Sequence, residues 1–358
     1  MRSRFSRDHY AIAALMLGGF ITHWPWFQLT QIFTSGDWWY ITQERYRDFA
    51  HFSPIWVTDN FGSTSATPHF YLIRFLEGLL TYFGSNFALN EKLFYMLPIA
   101  LVAPVGAFLL ARRYVGTLAA MVGSIIYTFN TAFLFNQVGP LTIEMAYALA
   151  PLCLYFLHRA LHDEAKQRPA TLGALTLSVI MLYELRMALI IVALGLGLAL
   201  HQIAISKQRL RYAKSIVWPA LLFGALVVTT QLFWVLPYVI SAKAVTFSNV
   251  LSRGLFVSFS DITNAITLSH PFWTGARPAT FIVQLIPWWS WLVPLLAFGY
   301  LLFLGQSPQA REKGRQTHYW ALVALLGIFL VKQVNPPFTD VYAWLFGHLP
   351  GSGHHVGH

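Results

Sequence analysis

Apolar residues in this chain come in blocks near twenty residues long, separated by short polar stretches that carry most of the charge. A helical block of that length crosses about 30 Å of hydrocarbon. The pattern predicts about nine spans, at 10–30, 92–111, 115–135, 143–161, 170–185, 187–205, 215–240, 281–304 and 318–334. Period-2 alternation with a Gly and Asn turn rhythm is missing, which argues against a membrane barrel. The expected fold class is therefore an all-α polytopic membrane protein, a single transmembrane domain over residues 1–358. Two connections are long, 31–91 and 241–280, and the first is expected to carry interfacial helices.

Charge orients the spans. With the N-terminus in the cytoplasm, the short inner loops hold Arg2, Arg4, Arg7, Arg112, Arg113, Arg159, Lys166, Arg168, Lys207, Arg209, Arg211, Lys214, Arg311, Lys313 and Arg315. Those are 15 of the 24 Lys and Arg residues, the bias expected of inner loops. The stretch "PHFYLIRFLEGLLTYFG" at 68–84 is apolar enough to cross, but Arg74 and Glu77 sit near its middle. If it crossed, Arg112 and Arg113 would face outward, so it is expected to lie in the outer interface with its apolar face down. The N-terminus has the basic start and apolar middle of a signal peptide without a small-x-small cleavage site, and is read as an uncleaved first span.

Composition agrees. Charged residues make up 11% of the chain, against about 25% in soluble proteins. The net charge of +10 is interleaved with the spans rather than gathered on one face, so no nucleic-acid partner is expected. Cys153 is the only cysteine, which leaves no internal disulfide and no cysteine metal cluster. The terminal "GSGHHVGH" offers imidazoles without a fourth ligand at helical spacing, and no metal site is assigned there.

Candidate chemistry gathers on the outer side. Asp37, in "SGDWWYIT", stands beside Trp38 and Trp39, whose rings favour headgroup depth. A carboxylate held there suits a general base or a cation ligand, and equally suits a helix cap. Glu184 and Arg186, in "YELRM", form either an ion pair marking a helical turn or a fork for a phosphate. Lys332 is a second phosphate contact or a snorkelling lysine. Glu144 either opens a span or is a second candidate acid/base group.

The order of elements resembles the GT-C superfamily of integral-membrane glycosyltransferases. Within it, the chain looks most like bacterial arabinofuranosyltransferase-type and YfhO-type multi-span proteins. The resemblance is carried by "SGDWWYIT", by "YTFNTAFLFNQVGPLTIEMAYALAPLCLYFLHRAL" and by "FLVKQVNPPFTDVYAWLFGHLPG". It implies an enzyme of the plasma membrane that moves a sugar from a polyprenyl-phosphate donor to an extracytoplasmic glycan or glycolipid acceptor. It also implies catalysis by Asp37 with Glu144 next in line, and substrate contacts from Trp38, Trp39, Glu184, Arg186 and Lys332. No cofactor is expected, since the Asp-x-Asp of metal-dependent members is missing from the first loop. The chain stops where relatives usually continue, so a truncated, inactive fragment is one alternative. A transporter or flippase of lipid-linked sugars is another, with Pro104, Pro151, Pro219 and Pro294 interrupting spans.

Overall fold

The computed structural model describes residues 7–28, 31–34, 38–51, 56–57, 63–64, 67–137, 139–241, 261–269, 286–299 and 308–348. Within them the chain is almost wholly helical, apart from a two-residue antiparallel pairing of Trp56–Val57 (β1) with Ser63–Thr64 (β2). The helices are α1 (Arg7–Thr22), α2 (Gln43–Phe49), α3 (Tyr71–Thr81), α4 (Phe87–Ala111), α5 (Thr117–Thr128), α6 (Thr131–Asn136) and α7 (Leu141–His162). They continue as α8 (Gln167–Tyr183), α9 (Leu185–Ile205), α10 (Arg209–Ser241), α11 (Ile262–Thr267), α12 (Leu292–Gly299), α13 (Pro308–Val331) and α14 (Thr339–His348). Among the described residues four helices are long and apolar enough to cross a membrane: Phe87–Ala111, Leu141–His162, Leu185–Ile205 and Arg209–Ile240. This is a helical protein with the marks of a membrane protein.

Several expected spans are shorter or broken. The first was expected over 10–30, but α1 ends at Thr22 and a 3₁₀ turn, Trp24–Phe27, follows with Pro25 in its first positions. Proline fixes its own φ and lacks a donor, so it suits the start of a new turn better than the interior of a helix. The span expected over 115–135 is two helices, α5 and α6, interrupted at Phe129 and Asn130. Of the block at 281–304, the described part carries only a 3₁₀ turn and α12. The stretch at 68–84 forms a 3₁₀ turn and an 11-residue helix, α3, closed by Gly84 at φ +90°.

The chain divides into two compact units, 1–129 with 136–242 and 130–135 with 243–358. In the first, α7 packs on α4, α8 and α9, while α1 and α5 pack on α4 and α10 on α8. Small residues line these contacts: Ala100, Ala103, Ala146, Ala148 and Ala174 are fully buried. Between apolar helices in lipid, close backbone approach replaces the hydrophobic drive, and small residues permit it. The closest approach is explained by a proline. Pro104 has no N–H, so the carbonyl of Ala100 loses its helical donor, and Gly19 of α1 sits against that oxygen. A Cβ at Gly19 would stand 2.1 Å from it.

One end of this unit is laced with ion pairs. Arg112 donates to Asp8 (3.0 and 3.1 Å), Arg113 to Asp163 (3.0 Å) and Arg159 to Asp163 (2.5 Å), and Thr117 donates to Asp8. The start of α1, the ends of α4 and α7 and the start of α5 therefore meet there. In the second unit α11 packs against α12 and α13, and Thr131 Oγ1 donates to the Leu268 carbonyl at 2.7 Å.

Candidate functional site

At the opposite ends of α4 and α7 in the first unit lies a cavity of about 310 Å³. It is lined by Trp38, Trp39 and Ile41 from the first loop, Arg74 from α3, residues 139–143 at the start of α7, and Glu184 and Arg186 at the start of α9. That volume suits a small ligand or the head of a larger one. The residues are far apart in the chain, and each segment is aimed by contacts both within it and to distant segments.

Trp38 is held from behind. Its indole N–H donates to Glu91 Oε1 at 2.7 Å, and the Phe33 amide donates to Glu91 Oε2 at 3.0 Å. Next to it, Lys92 Nζ donates to the carbonyls of Gln31 (2.6 Å) and Ala88 (3.2 Å). The Asn-Glu-Lys ahead of the apolar run thus ties the first loop to the start of α4, which Asn86 caps by accepting from the Leu89 amide. Trp38 is 6% exposed and meets Tyr95 edge-on at 4.6 Å, whereas Trp39 is 76% exposed.

Arg74 comes from α3, which packs against α2 so closely that a Cβ at Gly78 would lie 2.3 Å from the Tyr46 carbonyl. Its guanidinium donates to Glu77 Oε2 at 2.8 Å and lies over the rings of Phe70 (4.8 Å), Trp38 (5.7 Å) and Phe49 (5.7 Å). Glu77 is fully buried, and its backbone carbonyl accepts from Asn90. Burial pushes the Glu77 carboxyl above its ordinary value, with Arg74 opposing, and burial likewise raises the Tyr46 phenol beside them. The expected apolar-face-down helix therefore has a charged pair, not only apolar residues, on its packed face. An ion pair buried this way is costly to break, because either partner alone would be stranded.

Glu184 and Arg186 form a compact fork. Arg186 Nε and Nη2 each donate at 2.8 Å to one oxygen of Glu184, whose Oε1 also accepts the Arg186 amide and caps α9. The arginine side chain is 77% exposed and the glutamate 13%. The pair marks the turn before α9 and also stands in the cavity lining. His69, half-buried nearby, is shifted below the ordinary histidine value by burial, with the Glu184 charge opposing.

Glu144 and Lys332 are not in this lining. Asp37 is outside the described residues, although its neighbour Trp38 is in the lining. The terminal histidine stretch at 351–358 is also outside them. Glu144 is buried one turn into α7, beyond the lining residues. Lys332 belongs to the second unit and is 1% exposed. Its ammonium donates to the carbonyls of Gln333 (3.1 Å) and Asn335 (2.7 Å) and lies over the rings of Phe329 and Tyr342. Two of its three donors are thus spent on backbone. Arg74 and Glu91 are the residues that sequence reasoning passed over. Their signal was present, an Arg and Glu three apart in an apolar stretch and an Asn-Glu-Lys at the mouth of a span. Among the described residues no three His, Cys, Asp or Glu side chains gather as a metal site. Comparison with family models, with curated proteins and with solved structures found no match for this chain.

Proposed function

We propose that this protein is a membrane glycosyltransferase that moves a sugar from a polyprenyl-phosphate donor to an extracytoplasmic glycan or glycolipid. One observation carries the reading: Trp38, Trp39, Glu184 and Arg186, proposed as substrate contacts from the sequence, line one cavity with a further guanidinium, Arg74. The flat apolar rings suit a sugar or the first isoprene units, and the arginines suit the phosphate. In the working arrangement the N-terminus is cytoplasmic, about nine helices cross the plasma membrane, and the cavity faces outward.

The reaction is a substitution at the anomeric carbon. Asp37 takes the proton of the acceptor hydroxyl, whose oxygen attacks that carbon. The bond from the carbon to the phosphate oxygen breaks, and the electron pair leaves on the lipid phosphate. Guanidinium groups stabilise the charge that grows there. Asp37 precedes Trp38 in the sequence, and Trp38 is held in the cavity wall by its bond to Glu91.

The test compares wild type with Asp37→Asn in membranes supplied with labelled polyprenyl-phosphate sugars. General-base assistance is typically worth about 10²–10⁴-fold, and transfer is expected to fall by that factor at matched protein level. Full transfer by the variant would move the base to another residue, Glu144 first. No transfer by well-folded wild type with any donor would overturn the reading in favour of transport or an inactive chain.

A further inference from the structure

The cavity holds two guanidinium groups in different circumstances. Arg74 is fixed: Glu77 engages its Nη1, and three aromatic rings surround its plane. Arg186 is exposed, and its Nε–Nη2 edge, one of the two edges on which a guanidinium grips an oxyanion, is taken by Glu184. The lining also includes the first turns of two long helices, α7 and α9. α9 is capped by Glu184, whereas Pro140 at the start of α7 supplies no capping side chain. Backbone amides at a helix start favour an anion, and here they accompany the two arginines.

We propose that the cavity is a phosphate seat with one permanent contact, Arg74, and one releasable contact, Arg186, for which Glu184 competes as an internal carboxylate. This rests on the reading of the cavity as the donor's phosphate site and assigns roles within it. A phosphate and a carboxylate both suit the Nε–Nη2 edge, so the two compete for it. Glu184 then sets a threshold. An anionic phosphate displaces it, whether the singly charged diester of the donor or the monoester left after transfer, and a neutral lipid alcohol does not. On release, the carboxylate takes back the fork and helps the spent lipid phosphate to leave.

The experiment measures binding of farnesyl phosphate, farnesol and inorganic phosphate to the purified full-length protein in detergent. Glu184→Gln keeps an oxygen to cap α9 but gives up the charge. It is expected to bind farnesyl phosphate about tenfold more tightly, with farnesol unchanged. Adding Arg186→Gln should abolish that gain. Arg74→Lys keeps a cation beside Glu77 but loses the fork, and should bind severalfold more weakly while melting normally. If Arg74→Lys does not fold, the Glu184 and Arg186 cycle decides alone. Weaker or unchanged binding by Glu184→Gln would overturn the proposal, making Glu184 a support for Arg186 instead. So would an absence of binding by any well-folded form. Equal tightening for inorganic phosphate would support the seat and assign it to a bare phosphate rather than a lipid. Sugar transfer that fails while the cycle holds would sink the transferase reading and leave the seat standing.

Discussion

Glu77 and Arg74 are three residues apart in a stretch that otherwise reads as apolar, and each is affordable only with the other. Glu77→Ala would leave a half-desolvated guanidinium among aromatic rings, a loss expected to cost about 3 kcal/mol. Thermal melting in detergent would show it as a clear drop, while Glu44→Ala, at an exposed position of α2, should melt like wild type. His69 carries a pH prediction. Its folded pKa is depressed by burial, so below about 6.5 the unfolded chain takes up a proton that the fold refuses. The stability it contributes is present above that pH and is lost as pH falls toward the folded value. Melting temperature against pH should therefore slope downward on acidification, and the slope should flatten in His69→Gln. An unchanged slope would show that His69 does not report burial.

Adjacent glycines make the argument at the scale of elements. Gly18 and Gly19 share α1, yet a Cβ at Gly18 meets nothing within 4 Å while one at Gly19 meets the Ala100 carbonyl at 2.1 Å. Gly18→Ala is expected to be neutral or stabilising by up to about 1 kcal/mol, since alanine loses less entropy in a helix. Gly19→Ala should cost about 1–3 kcal/mol by forcing α1 away from α4. Gly78→Ala should cost a similar amount at the α2–α3 contact, and because Arg74 rides on α3 it should also weaken binding at the cavity. Comparing unfolding midpoints of the three variants checks the set. Asn86 caps α4 and Thr42 caps α2 by accepting from the Arg45 amide, but the expected spans used neither, and the α4 span began at 92, inside a helix that starts at Phe87. Helix boundaries were also misjudged where an apolar block continued through a break, as at Pro25 and at Phe129–Asn130, because hydropathy counts residues without asking whether the backbone can stay helical.

For the whole molecule, the two ends of the first unit differ in kind. Asp8, Arg112, Arg113, Arg159 and Asp163 meet at one end, all on segments expected inside, and the cavity lies at the other ends of α4 and α7. The orientation can be read by thiol labelling in a Cys153→Ser background, in which the serine hydroxyl can keep the bond that the buried thiol donates to the Gly173 carbonyl at 3.6 Å. Trp39→Cys is expected to react with a membrane-impermeant reagent on intact cells, and Lys166→Cys only after permeabilisation. The reverse pattern would invert the topology and place the cavity in the cytoplasm.

The apolar blocks and their charged flanks determined by themselves that the chain is helical and membrane-like, because burial of apolar side chains and pairing of backbone groups are dictated locally. Those same blocks named Trp38, Trp39, Glu184 and Arg186, since a charge or tryptophan at a span's edge is conspicuous wherever the chain goes. Only the tertiary structure decided that these four share one cavity and that Arg74 joins them. It also decided that Glu91 serves as the anchor of Trp38 and that Lys332 spends its donors on its own turn. The reason is physical. A helix periodicity records which residues face inward, but which inward faces meet depends on contacts between segments tens of residues apart, such as Glu91 to Trp38, that no local pattern encodes.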